Sequence, residues 1–486
     1  MSHHPAPSRP APRPLLVVMV LGFSSLCASL MQSLVIPIQA ELPELLHTTA
    51  SNASWVVTAT LLGGGVAMPV AGRLADIFGK KPVLVASSAI LMLGSILCAV
   101  SDTLAVVLIG RVLQGMAMGY IPVAISLVKD VTPPRMTNTA LSAVSATLGV
   151  GGALGLPLAA WIVEAFSWHA LFWLAAILAA VMILAAITLL PHHHDAHPAT
   201  VDFVGAFGLA LGLVALLVGV TKGNDWGWDD PATLGMIAGG VVVLVAWGFH
   251  QVHHREPLVD LRTTVRLPVL LTNLAALMLG FGMMAQSIVI PQLLQMPPQT
   301  GYGLGQSIMQ TGLWMAPGGI MMLLFSPVSS ALLTRVGGRT TLAIGGAVIA
   351  AGYLVSVAMT DAPWKLMLAT CITCAGVGIG YAAMPSLILA NVPSAEASSS
   401  VGVNALMRSM GTTVAGAVMA IVLTSQTVNL APGTTIPSHD AFRTCFVLGA
   451  AAALVAVVLT LIIPRNKRTA TPTTDIEPAV SEPARV

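Results

Sequence analysis

The chain is 486 residues long, 56% hydrophobic and only 8% charged, with a net charge of +2 and a mean hydropathy of +0.87. This balance excludes an ordinary soluble domain, in which about 25% of residues are charged, and leaves room for many spans of roughly 20 apolar residues, the length that crosses a hydrocarbon core about 30 Å thick. It also lacks a basic stripe with interleaved aromatic rings, which excludes nucleic acid as a partner.

Residues 1–14, rich in Pro and His, are expected to form a disordered tail. Apolar runs between breakers then predict fourteen membrane helices: Leu15–Ile38, Trp55–Ala71, Val83–Val100, Leu104–Leu127, Thr139–Val163 and Ala170–Leu190; Phe203–Val220 and Leu234–Phe249; Val269–Leu294, Met309–Leu333, Leu342–Met359, Leu366–Leu389, Val401–Leu423 and Phe442–Ile463. The first run is too long for the apolar core of a typical signal peptide and reads as a retained helix. Six helices fill a first bundle over 15–190, a linker and an inserted helix pair occupy 191–266, and six more fill 267–463. Residues 464–486, rich in Pro, Thr and Glu, form a second disordered tail. The five cysteines lie in or beside apolar stretches and suggest no disulfide framework; Cys371 and Cys374 lack the further ligands zinc requires.

Lys and Arg collect on one side of this arrangement, among them Arg73, Lys80, Lys81, Lys129, Arg135, Arg255, Arg262, Arg266, Arg335, Arg339 and Arg465, against Lys222, Lys365 and Arg443 on the other. Cytoplasmic loops retain such residues, so both termini are expected in the cytoplasm of a multi-pass cell-membrane protein. A monomer is expected.

The stretch Pro69–Lys81 has a faded copy in Pro327–Arg339, and Gly115–Tyr120 is echoed by Gly376–Tyr381. The two echoes map spans two and four onto ten and twelve and leave seven and eight without counterparts. Parallel repeats of this kind place a substrate site between the halves near the midplane, served by alternating access.

Gly72-Arg73-Leu74-Ala75-Asp76-Ile77-Phe78-Gly79-Lys80-Lys81 resembles the signature loop between helices two and three of the major facilitator superfamily, with Ile77 where relatives usually carry a basic residue. Gly72 and Gly79 would permit a tight turn, and Asp76 among Arg73, Lys80 and Lys81 would form a charge cluster that makes and breaks as the halves rock. Leu108–Gly115 resembles the helix-four motif. The stretch with Gly151, Gly155 and Pro157 resembles the helix-five motif associated with antiporters, although Leu156 stands before the proline. Asp202-Phe203-Val204-Gly205, Gly227-Trp228, Glu256–Leu261 and Asn404–Arg408 resemble the fourteen-helix drug/proton antiporter family, QacA/EmrB-like. The resemblance implies an all-α membrane protein that exports amphipathic drugs, with a proton gradient rather than a cofactor as its energy source.

Ionisable groups within a bilayer are costly, about 2.5–3.5 kcal/mol for a central Arg on insertion scales, so each is a candidate site. Arg111 shares a helix face with Gln114 and Met118, and Arg408 lies one turn after Asn404. Met31, Gln32, Asn273, Gln286 and Gln310 complete the expected substrate cavity. No acidic residue lies at a span centre; Asp130, Glu164 and Asp202, nearest the membrane boundary, are the candidate proton-linked acids. The tract His192–Asp195 is a compositional hint only, and no metal site is expected. Catalytic residues are not expected either, for no phosphate loop or sensor-sized loop occurs. The leading reading is an exporter of hydrophobic or amphipathic molecules. The alternative, motivated by two midspan arginines without midspan acids, is a transporter of an anionic or lipid-like metabolite.

Overall fold

A computed structural model describes residues 14–464 apart from 36–37, 39–40, 192–198 and 432–433. The expected tails and the tract His192–Asp195 therefore lie outside the described residues, except for Pro14 and Pro464 at the tail boundaries. In lipid every backbone N–H and C=O must find a partner within its own segment, so apolar runs of this length become helices. We number those that cross: α1 Pro14–Ser33, α2 Trp55–Phe78, α3 Lys80–Ala99, α4 Leu104–Val131, α5 Pro134–Ala165, α6 His169–Leu189, α7 Phe203–Trp226, α8 Pro231–His253, α9 Leu267–Gln295, α10 Ile308–Arg335, α11 Gly337–Ala358, α12 Pro363–Asn391, α13 Ala397–Ser425 and α14 His439–Ile462. Among the described residues thirteen are long and apolar enough to span, and α5, bent by 44° between Gly152 and Pro157, makes the fourteenth.

The bends have a common cause. Helix α4 breaks at Ala117–Gly119, α10 at Phe325 and α12 at Tyr381–Ala382, each just ahead of a proline: Pro122, Pro327 and Pro385. Proline brings no N–H to the ladder and its ring crowds the carbonyl four residues back, so the preceding turn tightens or opens.

Two large apolar cores divide the chain. One gathers mainly residues 17–190, including Leu21, Leu84, Val128 and Leu171. The other gathers residues 275–456, including Leu293, Tyr353, Phe442 and Phe446. A third, smaller cluster joins Leu209 and Leu213 of α7 to Leu258, Val259, Val403 and Leu406, with Val66 and Val70 of α2 packed on it. Helix α7 thus lies against both α2 and α13. Its neighbour α8 buries only 11% of its apolar window, and Val242, Val245 and Phe249 stay exposed, as suits a helix that faces lipid on most sides.

A short antiparallel hairpin, β1 Thr427–Ala431 and β2 Thr434–Pro437, links α13 to α14, with Thr427 opposite Pro437. It is absent from the sequence expectations. Its sequence signal is β-branched flanks about Pro432-Gly433.

Candidate functional site: the seam between the halves

The stretch expected as a loop over Gly72–Lys81 is mostly helix. Helix α2 continues through Phe78, Gly79 alone turns the chain at φ 92°, and α3 begins at Lys80. Only Gly79 uses the left-handed freedom of glycine. Gly72 serves a different purpose, because a Cβ there would collide with the carbonyl oxygen of Ser398 at the start of α13. Its bare backbone lets the two halves touch.

Beside that contact Asp76 is 3% exposed. Its two oxygens accept the backbone N–H groups of Ser398 at 3.1 Å and Ser399 at 2.9 Å. The first N–H groups of a helix have no partner inside it and carry the positive end of its dipole. Asp76 therefore caps α13 from the other half of the molecule. The expected charge cluster is dispersed instead: Lys80 pairs with Asp130, and Lys81 donates to the carbonyls of Ile187 and Leu190 at 2.8 and 2.7 Å. On this same face Ser398 donates to Ser126 at 2.9 Å, Lys129 to the Leu389 carbonyl at 2.7 Å and Asn138 to Thr334 at 3.2 Å, while the hydroxyls of Thr139 and Ser330 lie 2.8 Å apart. The halves are clipped together here.

Arg111 does not face the seam, contrary to the expectation of a cavity between the halves. It is 2% exposed; its Nε donates to the Val56 carbonyl at 3.0 Å and its Nη1 to Gln114 Oε1 at 2.7 Å. Gln114 passes the chain on to Ser95 at 2.9 Å, and Ser95 to the Leu91 carbonyl at 2.7 Å. Met31 and Met118 line a small cavity beside this chain, with room for about one water molecule, and every wall comes from α1 to α4. Helix α1 carries Gln32, whose side chain lies outside the described residues.

A second cavity does lie between the halves. Ser145 and Leu148 of α5 face Tyr381, Asn404 and Arg408 of α12 and α13 across a space of similar size. The Arg408 guanidinium sits over the Tyr381 ring, 4.9 Å from its centroid. Asn404 donates to Asn273 Oδ1 of α9 at 3.0 Å. Gln286 is buried on α9, but Gln310 is exposed and forms a reciprocal capping box with Ser307 at the start of α10, so the structure removes it from the cavity. Its position in the first turn, where orphan N–H groups attract an amide, explains the difference.

The acids expected to carry protons lie away from both cavities. Asp130 is paired with Lys80, and Glu164 is exposed near the end of α5. Asp202 caps α7 through the Gly205 N–H at 2.7 Å and also takes Gln251 at 2.8 Å and His250 at 3.2 Å. Burial alone would raise its pKa, but the hydrogen bonds from Gly205, Gln251 and His250 together outweigh burial and hold it below the ordinary carboxylate range. Ligand atoms of Asp202, His250 and His254 lie within 4.8 Å of one another, a cluster that the sequence expectations miss because residues 202 and 250 meet only after α7 and α8 fold back. The contacts Asp202 makes account for it as a helix cap. In the helix-five motif, a Cβ at Gly151 would strike the Leu26 carbonyl of α1; Gly155 is buried, Pro157 half-buried, and the 44° bend falls between Gly152 and Pro157.

Comparison with known proteins agrees with this architecture. The family model of the Major Facilitator Superfamily matches residues 21–416. The chain is 25% identical to the uncharacterized MFS-type transporter YhcA of Bacillus subtilis (strain 168) over 69% of its own length and 62% of the relative's, so it spans less than two thirds of that protein. It is also 25% identical to the multidrug transporter protein MdtP of the same organism, over 80% of this chain and 72% of MdtP. The crystal structure of the human organic anion transporter MFSD10 (TETRAN) superposes with a TM-score of 0.65 at 16% identity, covering 92% of this chain and 100% of that one, a likeness that speaks to fold alone.

Proposed function

The chain belongs to the Major Facilitator Superfamily, and we propose that within it this protein exports hydrophobic or amphipathic small molecules by alternating access of two six-helix halves. The observation that carries the reading is the clip at the Gly79 face. It consists of hydrogen bonds between the two halves, centred on Asp76 and the start of α13, with a small apolar patch at Ile388, Leu389, Ala397 and Val401 packed on the first core, while most of each core lies within its own half. The name of MdtP, a multidrug transporter, supports export of drug-like cargo. The clipped face is assigned to the cytoplasm with both termini, because Lys and Arg gather there.

The energy source is proposed to be the proton gradient. Asp76 is a carboxylate that bridges the halves by hydrogen bonds; protonation would cancel the charge that favours the α13 N–H groups and loosen the clip. Uptake of rhodamine 6G into inverted proteoliposomes, with and without an imposed pH gradient, tests the reading. Accumulation that depends on an acidic interior is expected, and uptake indifferent to the gradient overturns the coupling. Impermeant thiol reagents at cysteines replacing Lys81, Arg339 and Asp229 test the orientation, with the first two expected on the cytoplasmic side and the third outside. Labelling of all three from one side overturns the assigned topology.

A further inference from the structure

We propose that the cavity between the halves is a subsite for an anionic group, the carboxylate or sulfonate of an amphipathic organic acid, held by Arg408, Ser145 and Tyr381. This names a substrate class for the exporter reading and rests on it.

The argument is a count of donors against acceptors on the walls. Arg408 carries five N–H donors and no acceptor, and among the described residues no carboxylate pairs with it; its recorded partner is the face of the Tyr381 ring. The Ser145 side-chain oxygen, on a residue 2% exposed, has no hydrogen-bond partner. The Tyr381 hydroxyl donates to Met283 Sδ at 3.0 Å, a thioether and hence a weak acceptor. Asn404 spends an amide N–H on Asn273. The remaining walls, Ile125, Leu148 and Val401, are apolar.

Leaving the buried Ser145 hydroxyl without an acceptor has a cost, because it has given up water, and beside it the half-buried Arg408 guanidinium has no carboxylate to pair with among the described residues. In a site that opens to load cargo, that cost is recovered when a ligand brings the missing acceptors. A carboxylate or sulfonate offers several lone pairs, which suits a guanidinium fork and a flanking hydroxyl. A cation would meet Arg408 with like charge and find no carboxylate. The space seen here holds about one water, so the anion must enter when the halves part. The aromatic and apolar walls then fit the rest of an amphipathic molecule.

The same geometry separates Arg408 from Arg111, whose fork is already occupied by Val56 and Gln114. Of these two arginines, Arg408 is the one that lines the cavity between the halves.

The test uses purified full-length protein and two dyes of similar shape, fluorescein as the dianion and rhodamine 6G as the cation. Binding is measured in detergent and transport in proteoliposomes. Wild type is expected to bind fluorescein, and Arg408→Gln to weaken it about ten- to a hundredfold, as loss of a charge-assisted contact predicts, with a far smaller change for rhodamine 6G. Arg408→Lys should restore part of the loss. Ser145→Ala should weaken fluorescein by about two- to tenfold, and supplies the reading if the Arg408 variants fail to fold. An unchanged ratio of anion to cation affinity in Arg408→Gln and Ser145→Ala overturns the subsite, as does wild type that binds rhodamine 6G and not fluorescein. In that last case export of amphipathic cations stands while the subsite falls. Fluorescein bound in detergent but never moved in liposomes supports the subsite and counts against export.

Discussion

Two arginines lie deep in the membrane region, and their surroundings are opposites. Arg111 sits in the first half with its Nε and Nη1 bound to a carbonyl from α2 and an amide one turn along its own helix, and the chain of bonds runs on to Ser95 and Leu91. Arg408 sits at the seam, stacked on a ring and facing an unpartnered serine. Placing either charge in a bilayer costs several kcal/mol unless partners compensate. In the first case the fold compensates, so the residue joins helices. In the second the guanidinium is met by an aromatic ring instead of a carboxylate, and on the subsite reading a loaded ligand completes the compensation. Midspan charge alone therefore does not identify a substrate site; what matters is whether its donors are already spent.

The largest test of this contrast is Arg111→Ala. It leaves Gln114 Oε1 buried without its donor, at about 1–3 kcal/mol for an orphaned group, and removes one bond from the Val56 carbonyl, which keeps the Thr60 hydroxyl. A clear fall in the thermal melting point in detergent is expected, with uptake of anionic and cationic dyes lost alike. A selective loss of anionic dye with unchanged melting would reverse the roles assigned to the two arginines. Arg111→Lys should recover melting only in part, because an ammonium cannot reproduce the planar fork.

Asp76 is an intermediate case, satisfied, but by partners on the opposite half. Asp76→Asn should leave melting nearly unchanged and shift the balance between closed and open clip by about tenfold, the value of a charge-assisted hydrogen bond. A cysteine at Ser330, inside the clip, should then react faster with a thiol reagent, and transport should lose most of its response to a pH gradient. Unaltered reactivity would show that Asp76 does not hold the halves.

The smallest effect is expected at Asp202, which caps a helix away from the seam. Its carboxyl is held below the ordinary range in the folded protein. Its contribution, about 0.5–2 kcal/mol for a cap, is therefore fully present above the ordinary carboxylate value near 4 and fades as pH falls through the lowered pKa. Asp202→Asn should melt lower than wild type at pH 6, with the gap closing toward pH 3. A gap that grows as pH falls would contradict the sign of the shift.

Much of the fold was legible because a bilayer allows few solutions. Long apolar runs predicted all fourteen spans, and the paired echoes at Pro69 and Pro327 pointed to repeated halves before any contact was known. The site was less legible, for reasons of distance along the chain. That Arg111 meets the Val56 carbonyl depends on how α2 and α4 pack. That Gly72 is needed for contact rather than for a turn depends on Ser398, more than three hundred residues away. Gln310 shows the opposite limit: its Ser307 partner is three residues off, and the capping box S-x-x-Q was readable in the sequence, but the apolar run around it drew the residue into the expected cavity. The Asp202–His250 contact was hidden because α7 and α8 separate its members.

One packing detail gives the seam two unlike sides. Helix α7 lies over the flank where α2 meets α13, and Leu209 and Leu213 close the groove there with Val403 and Leu406. The opposite flank, where α5 meets α10, carries no helix of the inserted pair. A molecule already dissolved in the lipid thus meets the meeting line of the halves along α5 and α10, and a lipid-soluble photoreactive probe should label those two helices ahead of α2 and α13. On the exporter reading, cargo drawn from the lipid would therefore reach the seam from one side.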